Sequence, residues 1–447
     1  MQKKVLVAVE TKFRILRKNK ASFHVITVGD VVKNCLFSSN IAKKPVQKKG
    51  VKKTMDKIPY GKQEIINQDL DAVVKALQAE VITQGPVVEK FEQQVAEYHG
   101  AKYGIAFTNG TAALHAAYHA LGTQPCDEII APAMTFVASS NAGIYCGAKP
   151  VLVDIDLATN NIDIAQMQAA ITDKTKVVCA VSIAGYPVDT KKISEIIKEQ
   201  NIGFIHDCAH GIGSKRNFET GVEYADFTML SFHPVKHITT GEGGMLLTNN
   251  PILAEKARLF RTHGITKNPD QMRRCDGTWH YDMIELGFNL RIPDIQCALG
   301  ISQFERIKTN LLTRNLLAKR YNEAFKNTPE LIIPPAFAEL TTITETTDIS
   351  ELANLHAYHL YTMRVQNAEI RKELFDYLHA NKIFVQIHYL PVSWHTYYQT
   401  NFNYQEGDFP NAEKYYTTEI SLPMYHSLSF EEQDYVIEKI LDFFNNK

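Results

Sequence analysis

Residues able to do chemistry stand at four places in the chain. The first is Lys236, in 230-LSFHPVKHITTGEGGMLLTN-249, between an apolar run and the glycines of 241-GEGG-244. A lysine on a short connection between two buried strands is open to desolvation. A desolvated lysine sheds its proton and becomes a nucleophile toward carbonyls. A loop lysine that snorkels to solvent has the same local pattern. The second is Asp207, in 206-HDCAHG-211, at the end of an apolar run. Alone, it reads equally as a helix cap. The third is 108-TNGTAA-113, small residues opening a helix. Free amides at a helix N-terminus suit a phosphate, and a plain capping turn explains the stretch as well. The fourth is Phe136, in 134-MTFVASS-140, an aromatic face or a core residue.

Together these are a lysine, a carboxylate, a phosphate cradle and an aromatic ring. That set fits pyridoxal phosphate. The aldehyde of this cofactor condenses with a lysine, and its ring nitrogen needs an anion to stay protonated so that the ring can store electrons. A carboxylate–pyridinium bond is worth about 1.5–3 kcal/mol. An aromatic side chain would stack on the ring. The sequence holds no G-x-x-x-x-G-K-[ST], no G-x-G-x-x-G after a strand and no His/Cys set with zinc spacing.

These residues need a frame. Residues 68–80 and 86–99 have helical periodicity. Then 103–107 reads as a strand, 108–110 as a turn, and Leu114, Ala117, Tyr118 and Leu121 as one helical stripe. Strands follow at 128–133, 150–156, 176–183, 202–207, 226–232 and 244–249. Helices are expected at 135–146, 163–171 and 189–200. This alternation predicts an α/β fold with a mostly parallel sheet, and ligands in such sheets bind at the carboxyl ends of strands. Beyond residue 300, helices are expected at 301–327, 368–380, 411–417 and 430–445, with strands at 358–365 and 383–388. The expected division is a basic, poorly ordered extension over 1–54, a large domain over 55–305 and a smaller α+β domain over 306–447. Residues 3–9 and 22–28 read as short strands within the extension.

Composition is that of an ordinary globular enzyme, with 45% apolar and 22% charged residues. Residues 1–54 carry fourteen Lys and Arg against Glu10 and Asp30, a net of +12. With −1 overall, the other 393 residues carry −13. An acidic body argues against a nucleic-acid-binding face. The basic tail reads as a solvated appendage, and translation could begin at Met55. The seven cysteines include no C-x-x-C pair and read as free thiols of a reducing compartment. No apolar run reaches the roughly 18 residues of a membrane span. No signal peptide is evident, so the cytoplasm is the expected location.

With these residues in order, the chain from Ile58 onward resembles the sugar-nucleotide aminotransferases of the aspartate-aminotransferase fold, fold type I of the pyridoxal-phosphate enzymes. The resemblance rests on 58-IPYGKQEI-65, 82-ITQGPVVEKFE-92, 108-TNGTAALHAAY-118, 135-TFVASSNA-142, 207-DCAHGIG-213 and 231-SFHPVKHITTGEGG-244. It continues through 287-GFNLRIPDIQCALG-300, 386-QIHYLPV-392 and 420-ISLPMY-425. It implies that Lys236 bonds the cofactor and shuttles protons, that Asp207 pairs with the pyridine nitrogen, and that His210 lies near the 3′-oxygen. Thr111, Ala112 and Ser231 would hold the phosphate, and Phe136 would stack on the ring. Asn289 would reach the phosphate of a neighbouring subunit in a homodimer with shared sites. Tyr60, the loop Glu80, Val81, Ile82 and Thr83, and the stretch Gln386, Ile387, His388 and Tyr389 would contact the sugar nucleotide. The implied reaction moves an amine from L-glutamate to the C4 keto group of a UDP-linked 4-keto-6-deoxy-N-acetylhexosamine, in pseudaminic acid biosynthesis. Another nucleotide-linked 3- or 4-keto sugar is the alternative, and a non-catalytic regulatory module the remote one. His206 and Tyr186 depart from the pattern, which often has an acid and a glutamine there.

Overall fold

Runs such as Ile105–Phe107 and Val177–Val181 are buried at every residue. A sheet covered by helices on both faces makes that demand of its strands. The computed structural model describes residues 57–446. The expected strands at 3–9 and 22–28, and the character of the basic extension, lie outside the described residues.

The large sheet is built from β1 (Tyr103–Phe107), β2 (Glu128–Pro132), β3 (Lys149–Val153), β4 (Thr175–Val181), β5 (Gly203–Asp207), β6 (Phe227–Ser231) and β7 (Gly244–Thr248). Their order is β1-β7-β6-β5-β4-β2-β3. The run from β6 through β5, β4 and β2 to β3 is parallel, and β7 is antiparallel to both neighbours. Helix α1 (Gly110–Ala120) leaves β1, α2 (Ala138–Tyr145) follows β2, and α3 (Pro251–Arg261) follows β7. The stripe residues Leu114, Ala117 and Tyr118 are buried in the core of this sheet, and Leu121 packs against it half-buried.

The expected helix over 301–327 is two helices, α4 (Asp294–Phe304) and α5 (Ile307–Phe325). The break falls at Arg306, which turns its guanidinium onto the buried carboxylate of Asp69 at 2.9 and 3.1 Å. Helix α3 was not expected, although Asn250 caps it by accepting from the Ile252 amide at 2.9 Å and Pro251 opens it.

A second, three-stranded antiparallel sheet follows: β8 (Leu331–Ile332), β9 (Tyr361–Val365) and β10 (Glu419–Leu422), in that order. Helices α6 (Ala368–Ala380) and α7 (Phe430–Asn445) pack with α5 on an apolar core containing Tyr321, Tyr361, Met363, Leu374 and Ile440. The strand expected over 383–388 stops at Phe384, because Gln386 exchanges backbone hydrogen bonds with Ser421 of β10 instead. Val392, Tyr398, Phe409, Ala412 and Tyr415 return to the core of the large sheet. Asp154, just past β3, fixes that return by accepting the Asn411 and Ala412 amides at 2.9 and 2.8 Å. No described helix is long and apolar enough to cross a membrane.

Candidate active site

The register of the large sheet lines up the residues of interest. Asp207 ends β5 opposite Met229 of β6. Ser231 ends β6 opposite Gly244, the first residue of β7, and Gly244 also faces Phe107, the last residue of β1. A Cβ on Gly244 would lie 2.6 Å from the Asn109 carbonyl carbon and 2.7 Å from Gly110 Cα. Only glycine allows strand and helix N-terminus to approach so closely. Asn109 caps α1 by accepting the Ala112 amide at 2.8 Å. Ala112, expected to hold a phosphate, therefore already spends its amide on the cap. Gly110 and Thr111 are the other amides of the first turn with no carbonyl four residues back inside their own helix. Ser231 is beside them, its Cβ 3.5 Å from the place a Gly110 Cβ would take.

Lys236 rides the connection between β6 and β7. That connection is tied by the Phe232 amide donating to Gly243 O at 2.9 Å, Thr240 N to Phe232 O at 3.1 Å, and His237 Nε2 donating to Ala357 O at 2.8 Å. Lys236 keeps some accessible surface, as a reacting group must. Its Nζ lies 3.4 Å from His359 Nε2. Burial pulls the amine down from 10.5 to about 7; Asp207 opposes this and the charge of Arg314 adds to it. Near neutral pH, much of Lys236 is thus the free amine that attack on a carbonyl needs.

Asp207 is 4% exposed. Ser139 Oγ donates to its Oδ2 at 2.7 Å and the Ala209 amide to its Oδ1 at 3.1 Å. Burial raises its pKa, and these two donors and Lys236 pull it back. No described basic side chain ion-pairs with it. A buried carboxylate with neutral donors and no cation partner is half of a pair, and a protonated ring nitrogen would complete it. On this observation, the residues fit pyridoxal phosphate.

His210 joins the two halves. Its Nδ1 accepts the Ala184 amide at 3.2 Å, so in the neutral ring Nε2 carries the hydrogen and donates to Tyr389 Oη at 3.2 Å. Burial and the Lys236 charge keep its pKa well below the usual value. Its ring is 4.3 Å from that of His359. Phe136 is exposed, with its ring 5.8 Å from that of Tyr389. Tyr60 lies 5.1 Å from the His388 ring, and a Cβ on the adjacent Gly61 would meet Val235, next to Lys236, at 3.4 Å. Ile387 packs on the second core while Gln386 is exposed.

Lys236, His210, Tyr389, His388, Tyr60 and Phe136 are thus brought together, with Asp207 and the Gly110–Thr111 turn at neighbouring strand ends. Glu80, Val81, Ile82 and Thr83 are not. They are exposed on the turn before the helix Pro86–His99, where Ile82 O accepts the Asp294 amide at 3.1 Å. Asn289 is also exposed; beside it, Leu290 O accepts the Thr108 amide at 2.9 Å. His206 is buried against Ser182 Oγ at 2.7 Å, and Tyr186 stacks on Phe337 at 4.8 Å.

Three residues of the site were not singled out in the sequence. His359 touches Lys236, and its signal was a histidine inside the otherwise apolar 359-HLYTM-363. Ser139 holds Asp207, and only tertiary packing brings them together. Arg314 is 1% exposed and donates through Nη1 to the carbonyls of Tyr358, His359 and Met424 at 3.0, 3.2 and 2.9 Å. An arginine on the buried stripe of Leu311, Ala318 and Tyr321 was the sign to read.

Residues 63–441 match the DegT/DnrJ/EryC1/StrS aminotransferase family. The UDP-4-amino-4,6-dideoxy-N-acetyl-beta-L-altrosamine transaminase of Campylobacter jejuni is 33% identical over 85% of this chain and 95% of its own. A GDP-perosamine synthase of Escherichia coli O157:H7 is 32% identical over 86% of this chain and 96% of its own. Spr1654 of Streptococcus pneumoniae, in its PLP form, superposes with a TM-score of 0.77 at 29% identity, covering 87% of this chain and 99% of that one. With Lys236, Asp207 and the β1–α1 turn ranged along one sheet edge, the chain belongs to the DegT/DnrJ/EryC1/StrS family and is a pyridoxal-phosphate-dependent sugar aminotransferase.

Proposed function

We propose that this enzyme moves the amino group of L-glutamate to the C4 keto carbon of UDP-2-acetamido-2,6-dideoxy-β-L-arabino-hex-4-ulose. The products are UDP-4-amino-4,6-dideoxy-N-acetyl-β-L-altrosamine, of pseudaminic acid biosynthesis, and 2-oxoglutarate. What supports the amine transfer is the Lys236 amine, pulled down to about 7 by burial and 3.4 Å from His359, and what supports this sugar is the 33% identity to the altrosamine transaminase of Campylobacter jejuni. Bound pyridoxal phosphate supplies an aldehyde that takes up the amine and a ring that stores the electron pair.

The residues have distinct tasks. Lys236 Nζ would hold the cofactor through its aldehyde, and its amine would take the proton from glutamate Cα and deliver one to the sugar C4. An amine that titrates near neutral pH can take the first proton as the free base and give up the second as the ammonium. Asp207, whose rise through burial the Ser139 and Ala209 donors oppose, would hold the proton on the ring nitrogen. His210 would stand by the ring 3′-oxygen and Phe136 would stack on the ring. Gly110, Thr111 and Ser231 would hold the phosphate. Tyr60, Gln386, Ile387, His388 and Tyr389 bind the sugar nucleotide.

The exposed Glu80–Thr83 turn and Asn289 take part across a dimer interface. On the segment leading to Asn289, Trp279 and Leu286 are each 75% exposed, an apolar display that a second copy of the chain would cover. We assign the large domain to 55–305 and the small one to 306–447. Buried unpaired Cys179, Cys208 and Cys297 support a reducing compartment, the cytoplasm.

The relative named for GDP-perosamine, at nearly the same identity, favours a second reading in which a GDP-linked 4-keto sugar is the acceptor. Purified protein with L-glutamate and a panel of UDP- and GDP-linked 4-keto-6-deoxy sugars separates the two. The UDP-N-acetyl sugar is expected to gain an amine at C4, seen by mass and NMR, and Lys236→Ala to give none. Conversion of the GDP sugars alone would overturn the UDP assignment.

A further inference from the structure

Two side chains of β10 reach across to the segment that carries His388. Glu419 and Ser421 are both 0% exposed. Glu419 Oε2 accepts the His388 backbone amide at 2.9 Å. Ser421 Oγ lies 2.8 Å from His388 Nδ1 and donates its hydrogen to Glu419 Oε1. A hydroxyl has one hydrogen to give. Once that goes to the carboxylate, Oγ can only accept from the ring. Nδ1 then carries the hydrogen, and Nε2, on the other side of the imidazole, presents a bare lone pair.

We propose that Glu419 and Ser421 are positioning residues: through the Ser421 hydroxyl they set which ring nitrogen of His388 carries the hydrogen, and so whether the imidazole offers the cleft an acceptor or a donor. The relay has two settings. An ionised Glu419 makes Nε2 an acceptor. A hydrogen-bond donor in its place gives its hydrogen to Oγ, which passes its own to Nδ1, and Nε2 becomes N–H. Burial pushes Glu419 up to about 8 against the pull of Ser421, the His388 amide and Arg371, so both settings lie within a working pH range. The other titratable or charged neighbours are Arg364, opposite Glu419 in the register, with Tyr415 and Tyr389 beside the carboxylate. Lys236, His210 and Tyr60 face the imidazole. The fold sets the tautomer whatever the substrate; its use, accepting a hydrogen bond from the nucleotide sugar, rests on the function proposed above.

The test is ¹⁵N NMR of the holoenzyme labelled at its histidine rings, with the His388 signals identified by their loss in His388→Gln. Above the Glu419 transition the wild type is expected to show Nδ1–H. Glu419→Gln is expected to show Nε2–H. In that variant the His388 amide needs the side-chain oxygen, which turns the NH₂ toward Ser421. Adding Ser421→Ala should abolish the response. An unchanged tautomer in a folded Glu419→Gln protein would overturn the proposal. Should that variant not fold, the wild-type His388 signals are followed through the Glu419 transition, and a fixed tautomer overturns it equally. Above the Glu419 transition, Glu419→Gln is also expected to raise KM for the nucleotide sugar about tenfold over the wild type and leave KM for glutamate in place. An inverted tautomer with both KM values unmoved keeps the relay and removes the sugar contact.

Discussion

Lys236 costs the fold stability at any pH below its ordinary 10.5, most of all below its folded value. Its folded pKa of about 7 lies below the ordinary 10.5, so between those values the unfolded chain binds the extra proton. Stability of the cofactor-free protein therefore rises with pH across that window, by up to about 1.4 kcal/mol per pH unit. Lys236→Met removes the effect. Urea unfolding should find the variant more stable than the wild type near pH 7, with the gap narrowing toward pH 9; a gap of constant size would refute the desolvated amine. The strand-end placement of Lys236, Asp207 and the 108–113 turn was legible in the sequence because each follows an apolar run, and strand ends are where open α/β sheets bind ligands. His359, Ser139 and Arg314 were not. Each acts on a residue scores of positions away, and their local patterns are those of core and helix.

At the scale of elements, β7 and the start of α1 meet in a tight backbone joint. Gly244→Ala drives a methyl into the backbone of Asn109 and Gly110, which cannot swing aside. It should cost about 1–3 kcal/mol in urea unfolding and weaken pyridoxal phosphate binding measured by equilibrium titration. Gly243→Ala is the comparison: its Cβ meets the Thr240 hydroxyl, the end of a side chain, and the Ile292 side chain. It should cost less, and equal losses in the two variants would argue against a backbone joint. Helices 86–99, 368–380 and 430–445 were legible to the residue because stripe and caps agree, as in the Ser429 and Glu432 capping box that opens α7. The break at Arg306 was not, because apolar periodicity runs on across it and only the distant Asp69 explains the turn.

For the whole molecule, the exposed apolar segment 279–288 sets the third expectation. Leu286→Arg changes a side chain that is 75% exposed within one chain, so the protomer should fold. Sedimentation velocity should then show a monomer in place of a dimer, with amine transfer lost, since Asn289 and the Glu80–Thr83 turn would have no partner site. A variant that stays dimeric, or a monomer with full activity, would refute the shared site. The sequence alone could not reveal this face, because exposure of an apolar residue is a property of the folded surface. The order β5-β6-β7-β1 carries a last consequence. Hydrogen-bonded strands lie about 4.8 Å apart, so three steps from the Asp207 end to the Gly110 end make a gauge of about 14 Å, cut into the backbone itself. No side-chain exchange can reset it; only a whole strand gained or lost would. Segments such as 386–389 can therefore drift from one sugar to another while the gauge holds its calibration.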